Sequence, residues 1–142
     1  MAVAGLVIRL PFAGETHESR VLALRRAADN RAGPGLWETV SGRVERGEEP
    51  SAAVRREIAE ESGLVGEHHV ALEHRPFATY AAQRRGEPMI VILYRARYRA
   101  GEVRISSEHD DFAWLTAAEF RARSSLLPLV TVVEQALAEP LL

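Results

Sequence analysis

The apolar residues of this chain occur first in short runs that polar turns separate, a pattern typical of β-strands. Residues 5–10 and 20–26 are rich in Val, Leu and Ile, so both are predicted strands that could pair with each other. A loop is predicted over residues 27–35, which include Asn, Gly and Pro. Residues 37–44 predict short extended structure that breaks at Gly42.

The second half of the chain also contains extended structure by the same criteria. Residues 70–82 and 89–99 predict two long strands, joined by a turn over residues 85–88. Residues 103–105 and 112–115 predict two further extended segments.

Three segments carry helix signals. Pro50 suits the first turn of a helix, which is predicted to run to about Ser62 with Gly63 following its end. The residues expected to form its buried stripe are Ala53, Val54, Ile58 and Ala59. Residues 116–119 form a capping-box pattern that opens a short helix, and apolar spacing predicts a final helix over residues 126–138. This order of elements predicts an α/β fold in which a mixed sheet lies between helical layers.

Composition narrows the class of protein. The 142 residues, 46% of them hydrophobic and 27% charged, are typical of one soluble domain, predicted to span residues 1–142. A formal net charge of −2 gives no general basic surface for a nucleic-acid backbone, so no nucleic-acid partner is expected. The chain has no cysteine and no lysine, which excludes disulfides, thiolate chemistry and a Walker-type phosphate lysine.

The N-terminal apolar residues do not predict a targeting or membrane segment. Arg9 and Pro11 interrupt them, and no stretch approaches the length of a membrane span. A cytoplasmic protein without a membrane partner is therefore expected.

The predicted central helix carries an unusual cluster of acids. Glu57, Glu60 and Glu61 stand at positions i, i+3 and i+4, so their side chains share one face with Cβ atoms about 5–6 Å apart. Like charges at this spacing repel, and the last turn already has negative potential from the helix dipole. A bound divalent cation such as Mg²⁺ would remove this conflict. A solvated acidic face, partly offset by Arg55 and Arg56, is the alternative.

The residues around this cluster form a longer pattern. It consists of Gly, five residues, Glu, seven residues, and then Arg-Glu-apolar-x-Glu-Glu-x-Gly-apolar. Its fixed positions are Gly42, Glu48, Arg56, Glu57, Ile58, Glu60, Glu61, Gly63 and Leu64. Chance would give such a match less than once in roughly 10⁷ starting positions. The chain resembles the Nudix hydrolase family, whose defining motif is this box.

The resemblance implies a fold, a reaction and residue roles. The fold is an α/β/α sandwich with a mixed sheet, and a loop–helix–loop carries the chemistry. The reaction is Mg²⁺-dependent hydrolysis of a diphosphate linkage by water attack on phosphorus, with Mn²⁺ as an alternative ion. The substrate would be a nucleoside diphosphate linked to another group or a nucleoside triphosphate-like small molecule. A homodimer is a reasonable expectation.

The same resemblance assigns roles within the box. Glu57, Glu60 and Glu61 would bind the metal, and Glu57 or a neighbour would also take the proton of the attacking water. The backbone carbonyl of Gly42 would reach a metal. Arg56 would pair with Glu48 to stabilise the catalytic loop against the helix.

Two segments outside the box resemble one branch of the family. Residues 37–42 and 108–115 are similar to segments of the dihydroneopterin triphosphate pyrophosphatase branch, and the second is also similar to a segment of diadenosine tetraphosphate hydrolases. Glu108 would then add a metal ligand or general base from a loop that faces the helix, or it is an exposed loop acid. Trp114 is expected in the core.

Substrate contacts are proposed at three further positions. Arg26 and Arg31 could contact phosphate oxygens, although a solvated strand end explains them equally well. Tyr80 could stack on a base, but core packing is the better interpretation.

Two alternative functions stay open. A non-catalytic Nudix-like module that binds a nucleotide would be expected to lose box carboxylates, and none is lost here. A diadenosine polyphosphate hydrolase would be expected to carry Pro-Lys-Gly-His before the box, where residues 40–43 are Val-Ser-Gly-Arg.

Overall fold

A computed structural model of the chain describes residues 1–11, 18–29, 33–84 and 86–141. Within these ranges the chain forms eight strands and three helices. In chain order they are β1 (Ala2–Arg9), β2 (Arg20–Arg26), β3 (Trp37–Glu38), β4 (Val40–Arg43), α1 (Pro50–Ser62), β5 (Val70–Leu72), β6 (Ala78–Arg84), β7 (Glu87–Tyr98), β8 (His109–Leu115), α2 (Ala117–Arg123) and α3 (Leu127–Ala138).

The described strands form one mixed sheet with β1 at its centre. One edge of β1 pairs in parallel with β7, from Ala2 opposite Val91 onward. Its other edge is shared, because β4 pairs antiparallel with the first half of β1 and β2 pairs with its end at Ile8 and Arg9. β2 continues the sheet to β3 and β8, while β5 and β6 both pair with β7. The strand β1 therefore forks into two antiparallel branches.

Alternating side chains of β1 separate two apolar cores. Leu6 and Ile8 face one core, to which Phe120 and the apolar face of α3 contribute. Val3 and Val7 face the other core, formed with α1. A central strand that is buried on both faces is nearly continuously apolar, as here. The predicted α/β/α sandwich with a mixed sheet is confirmed.

Helix α1 begins and ends where the sequence predicts. Pro50 occupies its first turn, and Gly63 ends it with φ 73° and an N–H that donates to the Ala59 carbonyl. Of the expected buried stripe, Ala53, Val54 and Ile58 are buried, while Ala59 is only half-buried. The helix also buries Glu57, Glu61 and Ser62, which a purely structural amphipathic helix would not do.

The single strand predicted over residues 70–82 is wrong. β5 ends at Leu72 and β6 begins at Ala78, although both pair with β7. Between them Glu73 turns toward the buried Arg95 guanidinium, with Oε1 2.7 Å from Nε. Pro76, which has no N–H for a sheet ladder, lies in the same excursion. The ion pair and the proline explain the break.

Three smaller predictions also need correction. Residues 103–105 form no strand; Val103 and Ile105 pack against the α1 core, and the Arg104 N–H donates to the Ser62 carbonyl. The extended segment at residues 37–44 breaks at Thr39 rather than at Gly42. Glu87 and Pro88 belong to β7 rather than to the turn, because they pair with Arg84 and Gln83.

The capping box at the start of α2 is present. The Thr116 side chain accepts the Glu119 N–H at 3.2 Å, and Glu119 accepts the Thr116 N–H at 3.0 Å. None of the described helices is long and apolar enough to cross a membrane.

Candidate active site

The site begins where strand β4 crosses helix α1. Gly42 on β4 pairs with Val3 on β1 and lies against the carboxylate of Glu57. A β-carbon at residue 42 would overlap that carboxylate, far inside contact distance. The first glycine of the box is therefore required by space and not by an unusual backbone angle. Whether its carbonyl binds a metal stays a prediction.

Arg56 ties the loop before α1 to the helix. Its Nε and Nη2 donate to both oxygens of Glu48 at 2.8 and 2.9 Å, and Nη2 also donates to the Arg43 carbonyl at 2.9 Å. Its Nη1 donates to Glu57 Oε1 at 2.8 Å. The hydrogen bonds from Arg56 lower the pKa of Glu48 to about 2, and a hydrogen bond from the Glu45 N–H is the second cause. The guanidinium thus fixes the Glu57 carboxylate from one side.

Glu61 is the most deeply buried acid of the box, with 4% of its surface exposed. Its Oε1 accepts the Ser41 N–H at 2.9 Å. Burial raises the pKa of Glu61 to about 9 against this hydrogen bond, and the acids Glu38, Glu108 and Glu57 add to the rise. No arginine or histidine of the described residues lies within ion-pair distance of it, because the cations of this region pair with other acids.

The three box glutamates do not share one environment. Burial raises the pKa of Glu57 too, while the hydrogen bond from Arg56 opposes the rise. The side chain of Glu60 is 57% exposed and reaches Arg56 Nη1 only at 3.4 Å. The structure therefore holds Glu57 and Glu61 against the sheet and leaves Glu60 at the surface.

Glu108 lies opposite the helix, in the turn that precedes β8. Its side chain is exposed, and it raises the pKa of both Glu61 and Glu57. Its backbone carbonyl accepts the Ala27 N–H at 2.9 Å. The fold thus brings Glu108 close to box acids that lie far from it in the sequence.

Comparison with known proteins identifies the family. A model of the NUDIX domain matches residues 4–133. The chain belongs to the Nudix family. It is 33% identical over 123 residues to a MutT-like protein of Streptomyces ambofaciens, which covers 87% of this chain and 68% of that protein. It is also 33% identical over 108 residues to the nucleoside triphosphatase NudI of Escherichia coli O139:H28, covering 70% of this chain and 74% of that protein.

The fold agrees with a solved Nudix structure. A binary complex of the C. elegans Ap4A hydrolase superposes with a TM-score of 0.83 at 21% identity, covering 96% of this chain and 94% of that chain. Together these similarities make the chain a Nudix pyrophosphohydrolase. Nudix hydrolases generally use divalent metals.

Two buried residues of this Nudix site were not singled out by the sequence. Glu38 Oε2 lies 2.9 Å from His109 Nε2, and Glu38 Oε1 accepts from Arg26 Nη2 at 2.9 Å. Burial alone would raise the pKa of Glu38, but the hydrogen bonds from His109 and Arg26 outweigh it and the pKa is lowered. Both residues lie in the two segments that resemble one branch of the family, which was the available signal.

The proposed substrate residues have mixed positions. The Arg26 guanidinium contacts Glu38. Tyr80 on β6 is half-buried against the α3 core, and burial, followed by the charge of Glu38, raises its pKa. Arg31 lies outside the described residues. Trp114 packs in the α1 core, 5.0 Å from the ring of Tyr98, as expected.

The donor set of this Nudix site fits a hard divalent cation. All its free donors are carboxylate oxygens, and the burial of Glu57 and Glu61 disfavours leaving them charged without a cation. Within residues 1–11, 18–29, 33–84 and 86–141, no three acidic or histidine side chains form a preformed cage. A site in which the protein supplies only some of the oxygen ligands suits Mg²⁺, because this ion keeps waters and substrate phosphates in its coordination shell.

Proposed function

We propose that this Nudix pyrophosphohydrolase hydrolyses a phosphoanhydride bond of a nucleoside triphosphate-like substrate in a Mg²⁺-dependent reaction. A nucleoside diphosphate linked to another group is the related substrate class. The observation that carries the proposal is Glu61, an almost fully buried acid that faces Glu57 and Glu108 and has no cationic partner among the described side chains. The triphosphate preference is supported by the relative named a nucleoside triphosphatase.

Glu57 and Glu61, with Glu60 and Glu108 beside them, would hold the ion, and Mn²⁺ would fit the same oxygen donors. A bound Mg²⁺ offsets phosphate charge and makes a coordinated water more acidic. The chain supplies the orientation. Arg56 fixes Glu57 through Nη1, and the Ser41 N–H fixes Glu61.

The proposed reaction balances with these groups alone. The oxygen of water forms a bond to phosphorus, the bridging P–O bond breaks, and the leaving phosphate keeps the electron pair. Glu57 or a neighbouring carboxylate accepts the proton of the water, which suits a buried acid with a raised pKa. We further propose that Arg26 and Arg31 contact phosphate oxygens and that Tyr80 contacts the base.

A substrate panel tests this proposal. Purified protein is incubated with Mg²⁺ and nucleoside triphosphates, oxidised or pterin triphosphates, nucleotide sugars and dinucleoside polyphosphates, and ¹⁸O-labelled water locates the attacked phosphorus. We expect turnover with triphosphates that stops when EDTA is added. Glu61→Gln should lower kcat by several orders of magnitude, whereas Glu67→Gln, an exposed partner of Arg55, should not change it.

The remaining outcomes separate the alternatives. Preferred turnover of dinucleoside polyphosphates would replace the substrate class while leaving the chemistry in place. Calorimetric binding of a nucleotide without any product would contradict catalysis and favour a binding module.

A further inference from the structure

We infer that the buried Glu38–His109 pair is a positioning device that fixes the turn carrying Glu108 beside the box acids Glu57 and Glu61. The inference rests on the proposed function, because it assigns Glu108 a part in the same site. Both residues lie outside the box, and both are buried.

The first support is the place of His109 in the chain. It is the first residue of β8 and directly follows Glu108. Its side chain is 1% exposed, and Nε2 lies 2.9 Å from Glu38 Oε2. The Glu108 backbone makes two hydrogen bonds. Its carbonyl accepts the Ala27 N–H, and its own N–H donates to the Ser106 hydroxyl. The buried imidazole, on the next residue, anchors the end of the turn that leads into β8.

A β-bulge supplies the second support. Arg25 pairs with Asp111 and Arg26 pairs with His109, so Asp110 has no partner across the β2–β8 ladder. Bulges near active sites redirect side chains. Here Asp110 points outward to Arg25, with Oδ1 2.7 Å from Nε, while His109 points inward to Glu38. The bulge thus inserts the histidine into the interior just where the catalytic turn ends.

The third support is that a chain of contacts leads from Glu61 to His109. The Ser41 N–H donates to Glu61, and the Ser41 hydroxyl lies 3.5 Å from Glu38 Oε1. Glu38 then contacts His109, and Glu108 is the residue that precedes it in the chain. One buried carboxylate therefore connects the strand that holds Glu61 with the turn that holds Glu108.

Stability alone explains this pair poorly. A buried hydrogen bond replaces hydrogen bonds to water, so such a pair often stabilises a fold no more than apolar residues of the same shape would. Residues that orient a ligand-bearing group, by contrast, change activity or metal affinity about 10–100-fold when they are replaced. The location of the pair behind Glu108 fits the second role.

A double-mutant cycle tests the inference. His109→Leu, which removes the contact, and His109→Gln, which keeps a donor near Nε2, are made in the wild-type and Glu108→Gln backgrounds. We expect His109→Leu to lower kcat about 10–100-fold with little change in KM. In the Glu108→Gln background the same change should cost less than about threefold, because Glu108 no longer needs positioning. His109→Gln should keep most of the wild-type kcat, because its side chain still has a donor near the position of Nε2.

The same cycle is measured on Mn²⁺ binding by electron paramagnetic resonance, which needs no turnover. His109→Leu should raise the Kd for Mn²⁺ about tenfold in the wild-type background. In the Glu108→Gln background it should hardly change that Kd. Glu38→Gln is the second variant and decides the matter if His109→Leu does not fold. Asp110→Asn, in the same bulge but exposed, is the control and should behave as wild type.

Equal losses in both backgrounds would show a merely structural role and overturn the inference, as would wild-type kcat and Kd in His109→Leu and Glu38→Gln. A loss of activity in Glu61→Gln beside a fully active His109→Leu would reject the positioning role alone. A wild-type protein that turns over no substrate of the panel would reject the proposed function, and the Mn²⁺ cycle would still decide the inference.

Discussion

Gly42 lies so close to the Glu57 carboxylate that the space a β-carbon would need at residue 42 is already filled by that carboxylate. Strand β4 and helix α1 meet at this contact, far apart in the box but adjacent in space. The glycine thus determines how near a buried carboxylate can lie to the sheet. Gly42 has no functional group, but it belongs to the site because it lacks the β-carbon that would displace Glu57.

The first prediction concerns this contact. Gly42→Ala should displace the Glu57 carboxylate and lower kcat by about 100-fold, because a shift of about 1 Å in a catalytic group has an effect of that size. Steady-state kinetics and circular dichroism measure activity and folding. Gly86→Asn is the control, since nothing lies within 4 Å of a β-carbon there and Asn tolerates its φ of 80°. A kcat within threefold of wild type in Gly42→Ala would contradict the argument.

The second prediction concerns Arg56. Arg56→Lys loses the paired hydrogen bonds to Glu48 and should reduce the free energy of unfolding by about 1–3 kcal/mol. It should also lower kcat at least about tenfold, because Glu57 loses its donor. Thermal unfolding and kinetics measure both effects.

The matched control is the neighbouring residue Arg55. Its partner Glu67 is largely exposed, so Arg55→Lys should change the free energy of unfolding by less than about 0.5 kcal/mol. Equal effects at residues 55 and 56 would mean that the contacts of Arg56 add nothing.

The third prediction is a pH dependence of stability without metal. Burial holds the pKa of Glu61 at about 9, above its ordinary value of 4.5. Between these values the folded state binds the proton more tightly than the unfolded state, so the free energy of unfolding falls as pH rises. The stabilisation is complete below the unfolded pKa and disappears as pH approaches the folded pKa.

Urea unfolding in EDTA at about pH 5, 7 and 9 measures this dependence. Glu61→Gln has no proton to lose, so the unfolding free energy of the wild type minus that of the variant should fall steadily as pH rises. A difference that does not vary with pH would show that Glu61 is solvated like an ordinary surface acid.

The fourth prediction concerns added Mg²⁺. A ligand that binds only the folded state raises Tm, and carboxylate ligands must first lose their protons. The rise in Tm should therefore be larger at about pH 8 than at about pH 5.5. Glu57→Gln and Glu61→Gln should lose most of it, whereas Glu60→Gln should keep more, because Glu60 is exposed. Identical losses in all three variants would contradict the division of the glutamates.

Local patterns of the sequence predicted both ends of helix α1 correctly. Pro50 and Gly63 mark both ends of α1, since each acts on the backbone of its own turn. The break between β5 and β6 was missed because it depends on Arg95, a residue on the partner strand. The pair Glu38–His109 was missed for the same reason, as 71 residues separate its members.

The different environments of the three box glutamates could not be predicted from the sequence. Helical spacing places Glu57, Glu60 and Glu61 together, and nothing in that spacing distinguishes them. Packing against β4 buries two of them and leaves Glu60 exposed. Glu108 could be nominated from the segment that resembles related hydrolases, but only the fold brings it to Glu61.

The forked strand β1 connects the two parts of the chain that carry the candidate site residues. Its first half carries β4 with Gly42 and Ser41, and its end carries β2, which supports the turn of Glu108. Both parts of the candidate site therefore depend on the position of one strand. Near the fork, a methyl group at Gly5 would press on Ile58 at 3.1 Å. We expect a larger residue at position 5 to push α1 away from β1, which would shift Glu57 and Glu61 relative to Gly42 without changing any residue of the box.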